Sequence, residues 1–204
     1  MRIFKTFLGS LIVAMGIIIL LEANQGADPL SVFLLGIINL TGEFLGRHTF
    51  GTLSTSFGLL ILLIIMAVDK SKVGIGSIIN SLSVGIFINV LYAISFDNLI
   101  PKLPWLNLIL GPIIIGIGLA IYLSADLGAG FIEAIMLIVV ERTRFRLKYV
   151  RMILDATFVA AGLLLGATFG WGIVSGVLLI GPAIEYTMKL LEINKKPKRL
   201  GENA

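Results

Sequence analysis

SADLGAGFIEAIMLIVVERTRFR, residues 124–146, runs from an acidic, glycine-rich turn through apolar sequence into a basic cluster, with a carboxylate, Glu133, in its apolar middle. The chain around it has 204 residues, of which 57% are hydrophobic and 14% charged, and its mean hydropathy is +1.03. That is far outside the range of soluble domains. Apolar runs near 7–21, 29–42, 53–68, 73–96, 105–125, 127–140, 149–169 and 170–188 absorb almost the whole sequence. They are continuously apolar rather than alternating, which selects helices over barrel strands.

The expected fold is therefore an all-α polytopic membrane bundle of about eight segments. A spanning helix needs roughly 20 residues, so segments 28–42 and 128–141 are short. If both are re-entrant, six full spans remain.

Sliding the chain against itself gives two offsets. An offset of about 102 pairs Gly9, Gly16, Leu21, Ala23 and Gly26 with Gly111, Gly118, Leu123, Ala125 and Gly128. One of about 96 pairs Gly74, Gly76, Gly85 and Ile88 with Gly170, Gly172, Gly181 and Ile184. This divides the chain into a first four-segment repeat (1–97), a second (103–191) and a basic tail (192–204). The first segment, which imitates a signal peptide behind Arg2 and Lys5, thereby reads as an uncleaved helix. If every segment spans, the repeats run parallel, both termini are cytoplasmic, and Arg47 and Lys102 lie inside with Arg142, Arg144, Arg146 and the tail. Lys70 and Lys72 then fall on the wrong side. Re-entrant short segments would invert the halves instead. The glycines read first as close helix contacts.

With 16 Lys+Arg against 12 Asp+Glu the chain is basic, but the basic residues stand at the ends of apolar runs, which points to orientation in a bilayer and away from nucleic acid. The chain contains no cysteine and a single histidine, His48, which excludes disulfides, thiolate chemistry and a Cys/His metal site. His48 reads as an interfacial loop residue, Trp105 and Trp171 as interfacial anchors. No cofactor motif is present.

The pattern ADLGAGFIEAIMLIV, followed by YVRMILDATFVAAGLLLG and GWGIVSGVLLIGPAIEY, resembles the YczE/YitT-like bacterial membrane proteins. A degenerate first copy stands in NQGADPLSVFLLGI, GTLSTSFGLL and GIGSIINSLSVGIFIN. The resemblance implies a multi-pass protein of the cytoplasmic membrane. It implies an acidic residue at Glu133, with Phe131 where the family pattern has proline.

Ionisable residues inside a span read as functional by default. Glu133, the Arg151/Asp155 pair at i, i+4, and Glu185 are expected to face one interior, with Asn80, Asn89 and Ser31 as neutral counterparts from the first half. Against this, Arg151 and Asp155 fit an interfacial pair, Glu133 can snorkel to the surface, and Asn residues serve as interhelical glue.

Three functions compete. A secondary transporter or channel for a small solute or proton is favoured by duplication, glycine-interrupted helices and intramembrane carboxylates. A membrane-embedded regulatory or assembly partner would act through the basic surfaces, and homo-oligomerisation is left open. A membrane enzyme ranks last: there is no Ser-His-Asp set and no metal motif, so the chain is expected not to be an enzyme.

Overall fold

The apolar runs fold into helices because hydrocarbon offers no partner to backbone N–H and C=O groups, which must then be satisfied within each segment. The structure, a computed structural model, describes residues 2–41, 49–145 and 147–191. Eight α-helices form there, with no strand: α1 (Arg2–Leu21), α2 (Pro29–Thr41), α3 (Thr49–Val68), α4 (Ile75–Ala93), α5 (Pro104–Leu123), α6 (Phe131–Thr143), α7 (Leu147–Leu164) and α8 (Trp171–Leu190). Five of them, α1, α3, α4, α5 and α8, are long and apolar enough to cross a membrane. The sixth long helix, α7, has 18 residues and carries Arg151 and Asp155. Helices α2 and α6 have 13 residues each, so each rises only ~20 Å of the ~30 Å hydrocarbon core.

Glycine contacts give the direction of each helix. Gly9 abuts Gly118 and Tyr122, Gly16 abuts Ile115 and Gly111, and Gly111 abuts Leu20, so α1 and α5 are antiparallel. Gly51 meets Asn89, Gly85 meets Thr55 and Gly58 meets Ser81, which makes α3 and α4 antiparallel as well. By contrast α2 runs parallel to α7, with Phe33 against Phe158, Gly36 against Gly162 and Leu165, and Asn39 Nδ2 donating to the Gly166 carbonyl at 2.9 Å.

Helix α6 runs parallel to α3. It begins at Phe131 beside Gly58 and Ser81, halfway along α3 and α4, and ends with Glu141 paired to Lys72 just beyond α3. The chain therefore reaches one end of the bundle with α5, dips back through 124–130, and returns to that same end as α6. At the opposite end α2 does the same, after which Phe50 at the start of α3 packs with Leu91 and Ile100. Both short segments are re-entrant and six helices traverse the bundle.

Of the two alternatives the sequence left open, this arrangement follows the one with re-entrant short segments and inverted halves: helices paired by the 102-residue offset run in opposite directions. Arg2, Lys5, Lys70, Lys72, Arg142, Arg144 and Lys189 consequently share one end, the first end, while Lys102 lies at the second, away from the N-terminus. Trp105 and Trp171 are exposed at that second end. Arg47, His48, Arg146 and the tail 192–204 lie outside the described residues.

Several contacts exchange under the two offsets. Gly9 with Gly118 becomes Gly111 with Gly16. The amide of Gly76 donates to Leu127 O at 2.9 Å, and that of Gly172 to Gln25 O at 2.7 Å. Both turns use left-handed backbone at matching positions, Asn24 and Gly26 in one, Asp126 and Gly128 in the other. Position 128, at φ +128°, suits glycine alone.

The halves differ in how they close. Helix α3 packs along α4, whereas α7 lies on α2 and does not pack along α8 among the described residues. Gly85 is tightly covered by α3, but nothing stands within 4 Å of a Cβ at its counterpart, Gly181.

Candidate functional site

The N-termini of α2 and α6 lie at mid-depth, where their unpaired amides and dipoles favour negative charge. Asp28 caps α2: its Oδ2 accepts from the Ser31 amide at 3.3 Å and its Oδ1 accepts from the Ser31 hydroxyl. Helix α6 starts at Gly130 without a side-chain cap. There Glu133, in the first turn, folds its carboxylate back over Gly130, so a Cβ at that position would collide with it. Glu133 is thus held in apolar sequence because it stands at the positive end of a half-helix.

The turn before α6 is pinned from both sides. Tyr122 Oη donates to Gly128 O at 2.9 Å, the Ser77 hydroxyl donates to Ala129 O, and Gly74 N donates to Ser77 Oγ at 3.1 Å.

Between the two half-helix tips is a cavity of about 110 Å³, its polar wall formed by Asp28, Ser54, Asn80, Ser81, Glu133 and Arg151 and the rest mainly by aliphatic side chains of α1, α4, α5 and α8. That volume suffices for several waters or a small solute. Arg151 Nε donates to Asp155 Oδ2 at 2.9 Å, and its Nη1 lies 4.0 Å from Glu133 Oε1. One cation therefore stands between two carboxylates, one on α6 and one on α7. The side chains of Glu133, Arg151 and Asp155 are 28%, 35% and 16% exposed, so the cluster is not sealed inside the bundle.

Glu133, Arg151 and Asp155 are thus brought together, with Asn80 on the same cavity and bonded through its Oδ1 to Ser10 Oγ at 2.8 Å. Ser31 reaches the site as the partner of Asp28. Asn89 stands apart, donating to Thr52 Oγ1 at 2.9 Å between α3 and α4. Glu185 does not share the interior: it pairs with Lys189 one turn along α8 at 2.7 Å and is 71% exposed. Sequence reasoning passed over Asp28, although an Asp-Pro step opening an apolar run is a helix N-cap signal. Among the described residues no group of three or more His, Asp or Glu side chains is arranged to hold a metal ion.

Comparison with known proteins adds the family. A family profile described as "Family of unknown function (DUF6198)" matches residues 1–189. The "Uncharacterized membrane protein YczE" of Bacillus subtilis is 26% identical over 188 residues, covering 89% of this chain and 83% of the relative. An "Uncharacterized protein" of Haemophilus influenzae is 25% identical over 179 residues, 86% and 77% of the two chains. The "Uncharacterized protein YyaS" of Bacillus subtilis is 23% identical over 190 residues, 91% of each. No solved structure matches the chain.

Proposed function

This chain belongs to DUF6198, and on that premise we propose that this multi-pass membrane protein is a secondary transporter of a small solute, with Glu133 as a candidate proton carrier. The observation that carries this reading is the cavity at mid-depth between the tips of two re-entrant half-helices. Discontinuous helices that aim their termini at a central polar site, in halves of opposite direction, are the recurrent architecture of solute carriers. The Glu133–Arg151–Asp155 cluster gives that site ionisable groups with several partners to exchange, as coupling a proton to a solute requires.

Orientation follows from the basic residues. Arg2, Lys5, Lys70, Lys72, Arg142, Arg144 and Lys189 gather at the first end, which supports reading it by the positive-inside rule as the cytoplasmic end, with both termini on that side of the cytoplasmic membrane. The reading is of a carrier and not an enzyme.

The test is a thermal-shift screen of detergent-purified wild type and Glu133→Gln protein against small metabolites and ions, followed by flux into liposomes. A solute that raises the melting temperature of wild type alone, and that is taken up, supports the proposal. Identical melting of both proteins under every condition sinks it and leaves the regulatory-partner reading.

A further inference from the structure

The face shared by α3 and α4 is polar over the half of α3 nearest the second end. Thr52, Thr55 and Ser54 on α3 stand near Ser81, Asn80 and Asn89 on α4, and Gly51, Gly58 and Gly85 let the backbones close on one another. Two buried atoms in this seam, Ser81 Oγ and Asn89 Oδ1, find no hydrogen-bond partner among the described residues. Ser81 is 5% exposed. Buried polar atoms are normally paired, and each exception calls for an explanation.

The position of the seam supplies one. Its inner part, Ser54 with Asn80 and Ser81, lies on the cavity wall. Its outer part, Thr52 with Asn89, lies toward the second end. A line of hydroxyls and amides thus runs from the cavity toward that end, with the two helices closed on one another at Gly51 and Gly85. On the other half, α7 and α8 do not pack along one another among the described residues, and Arg151 and Glu133 are partly exposed.

We propose that the α3–α4 seam is the gate of the cavity toward the second end, closed in this structure, and that it parts to hydrate Ser81 Oγ and Asn89 Oδ1. The orphan atoms are then groups satisfied in the open state and left unpaired in the closed one. This lowers the cost of opening relative to an apolar seam. The proposal deepens the transport reading and rests on it, since a carrier needs its site to reach both faces.

The absence of native cysteine makes the test clean. Ser81→Cys is reacted with a membrane-impermeant thiol reagent confined to the second-end face of proteoliposomes. The same is done in a chain that also carries Thr52→Cys and Asn89→Cys, whose parent side chains are 2.9 Å apart, with that pair oxidised and then reduced. The gate predicts labelling of Ser81→Cys, slowed roughly tenfold by the disulfide and restored by reduction, as expected when reaction tracks an opening equilibrium. Formation of the disulfide reports native packing of the variant. If the disulfide does not close, sidedness of labelling decides alone. Labelling only from the first-end face, or a rate indifferent to the closed disulfide, overturns the gate. Because the readout is thiol chemistry and needs no solute, a failed solute screen with a mobile seam removes the transport reading, and a static seam with a bound solute removes the gate.

Discussion

The amide of Gly172 sits 2.7 Å from the carbonyl oxygen of Gln25, tying the start of the last helix to the turn after the first. Its counterpart, Gly76 to Leu127, ties the first half to the second in the reverse sense. The half-helix tips that build the cavity are held by these crossed bonds.

The α1–α5 seam depends on backbone proximity. A Cβ at Gly118 would lie 2.7 Å from the Val13 nitrogen and 2.8 Å from the Gly9 carbonyl. Gly118→Leu is expected to destabilise by about 1–3 kcal/mol through overpacking, seen as a lower melting temperature in detergent, whereas Leu at Gly181, where nothing stands within 4 Å, is tolerated.

Tyr122 fastens the second re-entrant turn. Tyr122→Phe keeps the ring but removes the 2.9 Å bond to Gly128 O, at a cost of about 1 kcal/mol. Thermal melting measures the loss, and proteolysis should show faster cleavage within 124–130.

Arg151 and Asp155 should behave as a coupled pair. Arg151→Gln leaves Glu133 and Asp155 without their common cation, so it should cost more than the Arg151→Gln/Asp155→Asn double substitution. A coupling of about 1 kcal/mol is expected in a double-mutant cycle, modest because Arg151 is about a third exposed. Glu185→Gln serves as the contrast: its surface pair with Lys189 predicts a change within about 0.5 kcal/mol and no effect on solute binding.

Asp69, in the first-end turn, accepts from the Ser71 amide and hydroxyl, and these bonds hold its carboxyl below its usual 3.8. A depressed folded value stabilises the fold fully above the unfolded value and less as pH falls through the folded one. Asp69→Asn should therefore lower stability at neutral pH and approach wild type in acid, as melts across a pH series would report.

Topology is open to the same cysteine chemistry. Lys70→Cys should label from the face that labels Arg2→Cys, and Lys102→Cys from the opposite face. Labelling of Lys102→Cys from the face that labels Arg2→Cys, with Lys70→Cys opposite, would restore the eight-span alternation.

Membrane class and helix count were legible because hydropathy is a local property of the chain. Direction was not. Pro29–Thr41 and Phe131–Thr143 are apolar enough to pass as spans, and only their length of 13 residues hinted that they turn back. The apparent misplacement of Lys70 and Lys72 was the second hint, since two basic residues on the wrong face disappear once α2 is re-entrant. Glu133, Arg151 and Asp155 stood out as charges in apolar sequence, and so did Glu185. Nothing local says which side of α8 faces inward, so Glu185 looked the same until packing was known.

The crossed turns bear on how the protein is made. Helix α4 leaves the ribosome before the Leu127 carbonyl that its Gly76 amide will meet, and Gln25 waits for Gly172 until almost the whole chain has been synthesised. The first re-entrant turn therefore cannot be completed during insertion of its own half. Its Gln25 carbonyl meets the Gly172 amide only once α8 is in place. The last helix to enter is the one that finishes the first fold of the chain.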